Sequence, residues 1–454
     1  MTASHLHRIA LGSLALGLLA CNSVSGLTDL LRTAPPSPSL SPTPLVPLAS
    51  VADPLPTPTL VVGPSDGELA ELQEQVVSLR GLSPSAPLQQ TVLNQEQVGE
   101  RILQDFLGEY SREEAVEDAR ILALFDLLDR DLDLWTLYNE LYTEQLAGYY
   151  DPEHGEMVVV AAEGWTGVER LTFVHEFTHA LQDQVYDLED GLGYSDEACR
   201  ESGERCQVIS ALIEGDATLL EEQWLRTYAR GQDFDDLLAF IDGLKTPVLD
   251  SAPAYLRKDF LFPYEQGLEF VRTIYLRDGW AGVDQVYRRL PESTEQILHP
   301  ALYQRATPAV VELDELGSAL GESWQELDRG VLGEWYTRLM LETRLEAGQA
   351  SEAAAGWGGD AYLTLRNEAA DVEALVLVSV WDRARDANEF TDAMLRHAED
   401  RFGETTGASD GATWTWDGGR VVLVRAYTQT LWIVAPDMET AEALRRWVAF
   451  PASV

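Results

Sequence analysis

Leu171-Thr-Phe-Val-His-Glu-Phe-Thr-His-Ala-Leu-Gln-Asp-Gln-Val185 decides how the rest of the chain is read. Residues four apart on a helix share one face, so the His175 and His179 imidazoles reach one point. Glu176 lies beside that face. Two imidazoles held in this way can share one metal ion, with the glutamate placed to take a proton from a water on it. Leu171, Val174, Phe177, Ala180, Leu181 and Val185 supply apolar surface around the pattern, which predicts a buried helix. Imidazoles buried there without a metal would need other partners.

The His-Glu-x-x-His pattern is the one used by zinc hydrolases. Catalytic zinc takes three protein ligands and keeps one position open for water. From His179 onward the only further histidines are His299 and His397, and neither lies a few residues past the motif. A carboxylate is the better candidate. Glu214, in Ala211-Leu-Ile-Glu-Gly-Asp-Ala-Thr-Leu-Leu220, is an acid set in an apolar helical stretch, with Asp216 as the fallback. Gly215 and Ala217 are small enough for this helix to approach the metal helix closely.

The chain has 454 residues, room for several domains, and its apolar content suffices for a sizeable core. Its 32 Lys+Arg stand against 76 Asp+Glu, a formal charge of −44. No basic patch survives that balance, which excludes a phosphate-neutralising nucleic-acid binder and a polybasic grip on anionic lipid. Residues 1–20 read as a signal peptide: Arg8 precedes the apolar run Ile9–Ala20, which is too short to span a bilayer. The run ends in Leu18-Leu-Ala-Cys21, a lipobox-like junction that marks Cys21 for lipidation and membrane anchoring; an ordinary signal peptide with an incidental cysteine is the alternative. Ten of the 21 prolines fall between Pro35 and Pro64, so residues 21–65 read as an extended tether. Cys199 and Cys206 remain as a pair, and an exported compartment permits a disulfide between them.

The folded part reads as α+β. Residues 66–349 form a mainly helical catalytic domain, with helices over 68–80, 95–108, 113–129, 134–146, 167–187, 206–229, 265–277 and 281–290. Residues 312–347 also read as helical, with glycine breaks. Pro152–Gly155 turns a hairpin whose second strand, Glu156–Val160, precedes the metal helix. Residues 350–454 read as a smaller α+β domain: a loop over 356–360, strands at 372–380, 412–416, 420–426 and 430–435, and helices at 388–402 and 440–450. Trp414 and Trp416 alternate on one strand face. The acidic runs 126–133 and 189–204 read as solvated faces rather than calcium loops, since they lack the spaced carboxylates of such a loop.

Over roughly residues 90–345 the chain resembles gluzincin-type, peptidase MA-like zinc metallopeptidases, in the exported bacterial form. The resemblance rests on His175–Gln184, on Glu214-Gly-Asp-Ala217, and on Glu144-Gln-Leu-Ala-Gly-Tyr-Tyr-Asp-Pro152. Tyr264-Glu-Gln-Gly-Leu-Glu-Phe-Val271 and Ser293-Thr-Glu-Gln-Ile-Leu-His-Pro300 fit it as well. It implies one zinc per chain on His175, His179 and Glu214, with Glu176 as general base. The chain departs from the thermolysin-like form in its longer gap to the third ligand, which leaves the supporting carboxylate between Asp183 and Asp216. An oxyanion partner is expected from Tyr264, Tyr255 or His299, with Tyr264 preferred. The resemblance also implies a strand at 156–160 on a sheet edge, pairing with an extended peptide or protein substrate.

The expected function is therefore zinc-dependent peptide-bond hydrolysis outside the cytoplasm by an enzyme anchored to the membrane through Cys21. The rivals are a zincin-fold envelope protein that binds a partner with little hydrolysis, and a metal-dependent amidase acting on a non-peptide substrate. Intact Glu176 favours the enzyme. Cleavage specificity, oligomeric state and the role of the C-terminal domain are not legible.

Overall fold

The computed structural model describes residues 64–93, 97, 101, 110–145, 148–160, 165–314, 320–408, 411–416, 418–448 and 450. The expected signal peptide, Cys21, nearly all of the expected tether and most of the helix expected over 95–108 lie outside them.

Helix α1 (Asp66–Arg80) begins at a capping box in which Ser65 and Glu68 satisfy each other's backbone amides, and it stops at Gly81 in the left-handed region. Strand β1 (Gln89–Leu93) follows, then α2 (Arg112–Leu124) and α3 (Leu134–Gln145). The expected hairpin is present as β2 (Gly148–Asp151) and β3 (Glu156–Val160). Next come α4 (Gly167–Tyr186), α5 (Asp196–Glu201), α6 (Gly203–Thr227), α7 (Gly231–Gly243), α8 (Pro247–Ser251), α9 (Ala254–Arg288) and α10 (Thr294–Leu298). Pro263 lies inside α9, and the helix breaks at Gly279, whose φ of 67° only glycine adopts readily.

The rest comprises β4 (Gln325–Gly330), α11 (Gly333–Glu342), α12 (Ala347–Ala354), β5 (Trp357–Asn367), β6 (Val372–Trp381) and α13 (Ala384–Phe402). It ends with β7 (Thr406–Ala408), β8 (Gly411–Trp416), β9 (Gly419–Ala426), β10 (Gln429–Ala435) and α14 (Met438–Trp447). The fold is α+β, a mainly helical part followed by a smaller part built on one sheet.

Three expectations are corrected here. β3 is the central strand of a three-stranded sheet ordered β1-β3-β2, parallel to β1 and antiparallel to β2. Both of its edges are taken, so it is not the edge strand expected to receive substrate. β1 was not foreseen, because Gln89-Gln-Thr-Val-Leu93 is short and alternates poorly. Residues 325–330 are strand β4, not helix, and the stretch 356–360, read as a loop, opens strand β5. In both places pairing within the sheet outweighs local propensity.

The seven strands of the C-terminal sheet run in the order β4-β5-β6-β10-β9-β8-β7, every neighbour antiparallel. Period-two alternation splits its side chains. Leu363, Val376, Val422 and Ile433 pack on one face beneath Leu444 of α14. Tyr362, Leu377, Leu423 and Trp432 face Phe390 and Met394 of α13 and join the core of the helical part. Trp414 and Trp416 share one face as expected, against Trp432 and Phe402 respectively.

Helix α4, which carries His175 and His179, starts at a capping box formed by Thr166 and Glu169. It lies on the small sheet on one side and on α6 on the other. Trp224 and Leu220 of α6 join Phe173, Phe177 and Leu181 of α4 in one apolar cluster. α9 packs along α6 on its far side. A Cβ on Gly215 would overlap the Gly267 carbonyl, and a Cβ on Gly267 would overlap the Ala211 carbonyl. Gly215 therefore serves the approach of α6 to α9, not the approach to the metal helix that its small size suggested. Tyr264, one turn before Gly267, is thereby brought over the site.

Candidate metal centre

α4 and α6 bring His175, His179 and Glu214 together. One donor atom from each lies within 4.8 Å of the other two. The three side chains are buried, at 1%, 0% and 1% exposure, and Glu176 is buried beside them at 1%. His175 Nε2 lies 3.1 Å and His179 Nε2 3.5 Å from the same Glu214 Oε2. The rings stand nearly perpendicular, at 80°, with centroids 4.6 Å apart.

The outer nitrogens are held separately. His175 Nδ1 lies 2.7 Å from Glu221 Oε1, and His179 Nδ1 lies 2.9 Å from Gln182 Oε1. Both partners accept, so both Nδ1 atoms donate, and both Nε2 atoms are turned inward towards Glu214. Gln182 also donates to the Ile213 carbonyl at 3.0 Å, which ties His179 to the residue preceding Glu214. Sequence reasoning missed Glu221 and Gln182. The signal was available: Glu221 is two helical turns beyond Glu214 on the same face, and Gln182 is one turn past His179.

The two carboxylates expected in that supporting role are used elsewhere. Asp183 accepts from the Tyr150 hydroxyl at 2.8 Å and from the Leu188 amide at 3.1 Å, joining the hairpin to the end of α4. Asp216, also the fallback ligand, accepts from Arg80 Nε at 2.9 Å and from the Tyr287 hydroxyl at 2.9 Å. It points from α6 towards α1 and α9, away from the histidines, because two residues along a helix turn the side chain by more than half a revolution.

Of the three proposed oxyanion partners, the structure brings only Tyr264 near. Its ring centroid is 6.3 Å from that of His175, and the side chain is fully buried. Tyr255 lies where Asp259 and Tyr138 act on it. His299 Nε2 is bonded to Glu334 at 2.8 Å.

The donor set fits a zinc-type ion. His179 Nε2, Glu214 Oε1 and Glu176 Oε2 are buried without a hydrogen-bond partner. Buried polar atoms left this way are costly unless something satisfies them. Two imidazoles and one carboxylate converging on a point is a three-ligand set that leaves a coordination position open. Burial pushes Glu176 up to about 7 among the protein groups alone. Burial opposes charge on His175, but Glu221 and Glu214 outweigh it and hold its imidazole well above the ordinary range. A divalent cation on Nε2 would displace that proton.

The expected disulfide is present. Cys199 and Cys206, with Cα atoms 5.2 Å apart, join α5 to the first turn of α6. No helix among the described residues is long and apolar enough to cross a membrane.

The family described as a domain of unknown function (DUF8575) matches residues 322–445, which span the C-terminal sheet from β4 to most of α14 and leave out the metal helix and α6. No curated protein and no solved structure matches the chain.

Proposed function

We propose that the protein is a zinc-dependent peptide hydrolase. The observation that carries the reading is the convergence of His175 Nε2, His179 Nε2 and Glu214 on one buried point, with Glu176 beside it. A zinc ion bound there polarises a carbonyl and makes water acidic enough to ionise near neutral pH.

The rest follows from the chain's own groups. Glu176 takes the proton of the attacking water while the water oxygen bonds to the carbonyl carbon. It then returns a proton to the amine as the C–N bond breaks. Glu221 and Gln182 keep both imidazoles in the tautomer that presents Nε2. Tyr264, whose ring centroid is 6.3 Å from that of His175, is the group assigned to the developing oxyanion. Burial of all these groups keeps bulk water from competing.

Export and anchoring belong to the same proposal. The Cys199–Cys206 disulfide supports an oxidising compartment. To these the proposal adds a signal peptide, lipidation of Cys21, a Pro-rich tether and, through the family resemblance, an extended peptide or protein as substrate. With β3 enclosed, the edges of the small sheet that no described strand takes are those of β1 and β2. Of these, β2 lies against α4, where a Cβ on Gly148 would press on the Thr172 side chain.

The test is hydrolysis of an unstructured protein by the purified full chain with zinc. Hydrolysis lost on chelation, restored by zinc and abolished by Glu176→Gln supports the reading. Zinc binding with no hydrolysis of any unstructured protein or peptide library counts against it and in favour of a binding role.

A further inference from the structure

Ser293-Thr-Glu-Gln-Ile-Leu-His-Pro300 plays no part at the metal cluster. It is nonetheless almost entirely buried from Ser293 to Ile297. It lies where three elements meet: the first turn of α6, the start of α11, and β5 of the C-terminal sheet. Glu204 of α6 accepts from the Thr294 amide at 2.6 Å and from its hydroxyl at 2.9 Å. That hydroxyl in turn accepts from the Trp335 amide at 3.2 Å. Asp360 of β5 accepts from the Leu332 and Gly333 amides at 2.6 and 3.0 Å. Gly333 has a φ of 77°, and a Cβ there would strike the Glu204 carboxyl. The start of α11 is thus gripped on one side by the ligand helix and on the other by the sheet.

The grip is made of acids, and three of their oxygens are unsatisfied. Glu204 Oε2, Glu295 Oε1 and Glu334 Oε2 are buried with no hydrogen-bond partner. We propose that this junction is a proton-operated latch. The junction of α6 with α11 and the C-terminal sheet, gripped through Glu204, stays closed while Glu204 and the buried Glu295 beside it are protonated, and it weakens as they ionise.

Burial pushes both carboxyls up to about 8. The charged groups around them are mostly of the same sign. Asp360 from β5 and Glu334 from α11 face Glu204. Glu334, Asp382 beyond β6, and His299 face Glu295. Asp386 stands behind Asp382. The opposing cations are His299, held above its ordinary range by its bond to Glu334, together with Arg338 near Glu334 and Arg383 near Asp382. His299 is 40% exposed and is the wet end of the cluster.

The sign of the effect follows. A carboxyl whose folded pKa is raised contributes fully below its unfolded value, near 4.5, and the contribution is lost as pH rises towards 8. The latch is firmest in acid. Each carboxyl changes the opening equilibrium by up to about tenfold per pH unit inside that window. Opening would free the first turn of α6, ten residues before Glu214, so the same protons would govern the order of the helix that carries the third ligand.

Amide hydrogen exchange of the full chain at pH 5 to 8, without added zinc, tests the latch apart from the metal reading. After correction for intrinsic base catalysis, protection over residues 333–342 is expected to fall at least about tenfold across the range. Residues 171–182 of α4 should keep theirs. Glu204→Gln and Glu295→Gln, which cannot ionise, should each flatten the fall. Constant protection in the wild type overturns the latch, as does a fall shared equally by α4. So does a folded Glu204→Gln, Glu295→Gln double variant that keeps the wild-type pH dependence. If neither variant folds, the wild-type comparison of α11 with α4 decides alone.

Discussion

Glu221 Oε1 stands 2.7 Å from His175 Nδ1, two helical turns beyond Glu214 on the same face of α6. One helix therefore presents two carboxylates to one imidazole, Glu214 at its inner nitrogen and Glu221 at its outer one. The second contact holds the ring so that its Nε2 faces the first. Glu221→Gln is expected to weaken zinc binding by about 10- to 100-fold without unfolding the chain. Competitive chelator titration measures this, with thermal unfolding as the control. An unchanged affinity would show that Glu221 does not position His175.

The contact of Gly215 with Gly267 sets the spacing of α6 and α9. Gly215→Ala forces the helices apart and is expected to cost about 1–3 kcal/mol. Because Tyr264 rides on α9 one turn away, the same change should lower turnover more than it lowers zinc affinity. Equal stability of variant and wild type in denaturant titration would contradict the reading.

Arg80 enters the interior from the end of α1. It is bonded to Asp216 at 2.9 Å and to Asp284 at 2.8 Å, and its guanidinium stacks 4.5 Å from the Trp280 ring centroid. Removing it leaves the buried Asp216 carboxylate without a countercharge, with only the Tyr287 hydroxyl bonded to it. Arg80→Met is expected to destabilise the protein by about 3–5 kcal/mol, read from chemical denaturation. A loss below about 1 kcal/mol would mean that Asp216 finds another partner or takes a proton.

Asp126 holds the helical and sheet parts together from the helical side. Its carboxylate meets Arg344 Nε at 2.7 Å, Arg401 Nε at 3.1 Å and His397 Nε2 at 3.3 Å. Burial works against its charge, but His397, Arg344 and Arg401 outweigh burial and hold the carboxyl well below the ordinary range. Its contribution is present above the unfolded Asp value of about 4 and lost as pH falls below it. Asp126→Asn should cost about 2 kcal/mol at pH 7 and somewhat less at pH 3, the cost disappearing only in stronger acid, below the depressed folded value. An equal cost at both pH values would remove the charge-based explanation. This contact and the Glu204 junction respond to pH in opposite senses and in separate windows.

The convergence of His175, His179 and Glu214 was largely legible because a helix of fixed period ties spacing to geometry. His175, Glu176 and His179 could be placed from four residues of offset alone. Glu214 was legible because an acid amid Ala211, Leu212 and Ile213 has few reasons to be there. What failed depended on distant partners. Asp216 and Glu221 look alike in sequence, and only the positions of Arg80 and His175 separate their roles. β3 read as an edge because its parallel partner β1 lies more than sixty residues earlier, beyond any local pattern. Asp126 and Glu204 sat in acidic runs that read as solvated faces. Their burial comes from Arg344, Arg401 and Thr294, which the fold brings from elsewhere in the chain.

The central claim is that two histidines of α4 and one glutamate of α6 hold a single zinc ion. Zinc content of the purified full chain, wild type against Glu214→Ala, tests it most directly. One zinc per chain in the wild type, lost or greatly weakened in a variant that remains folded, is the expected result. No zinc in the wild type under conditions that load other zinc proteins would contradict it, as would undiminished zinc in Glu214→Ala.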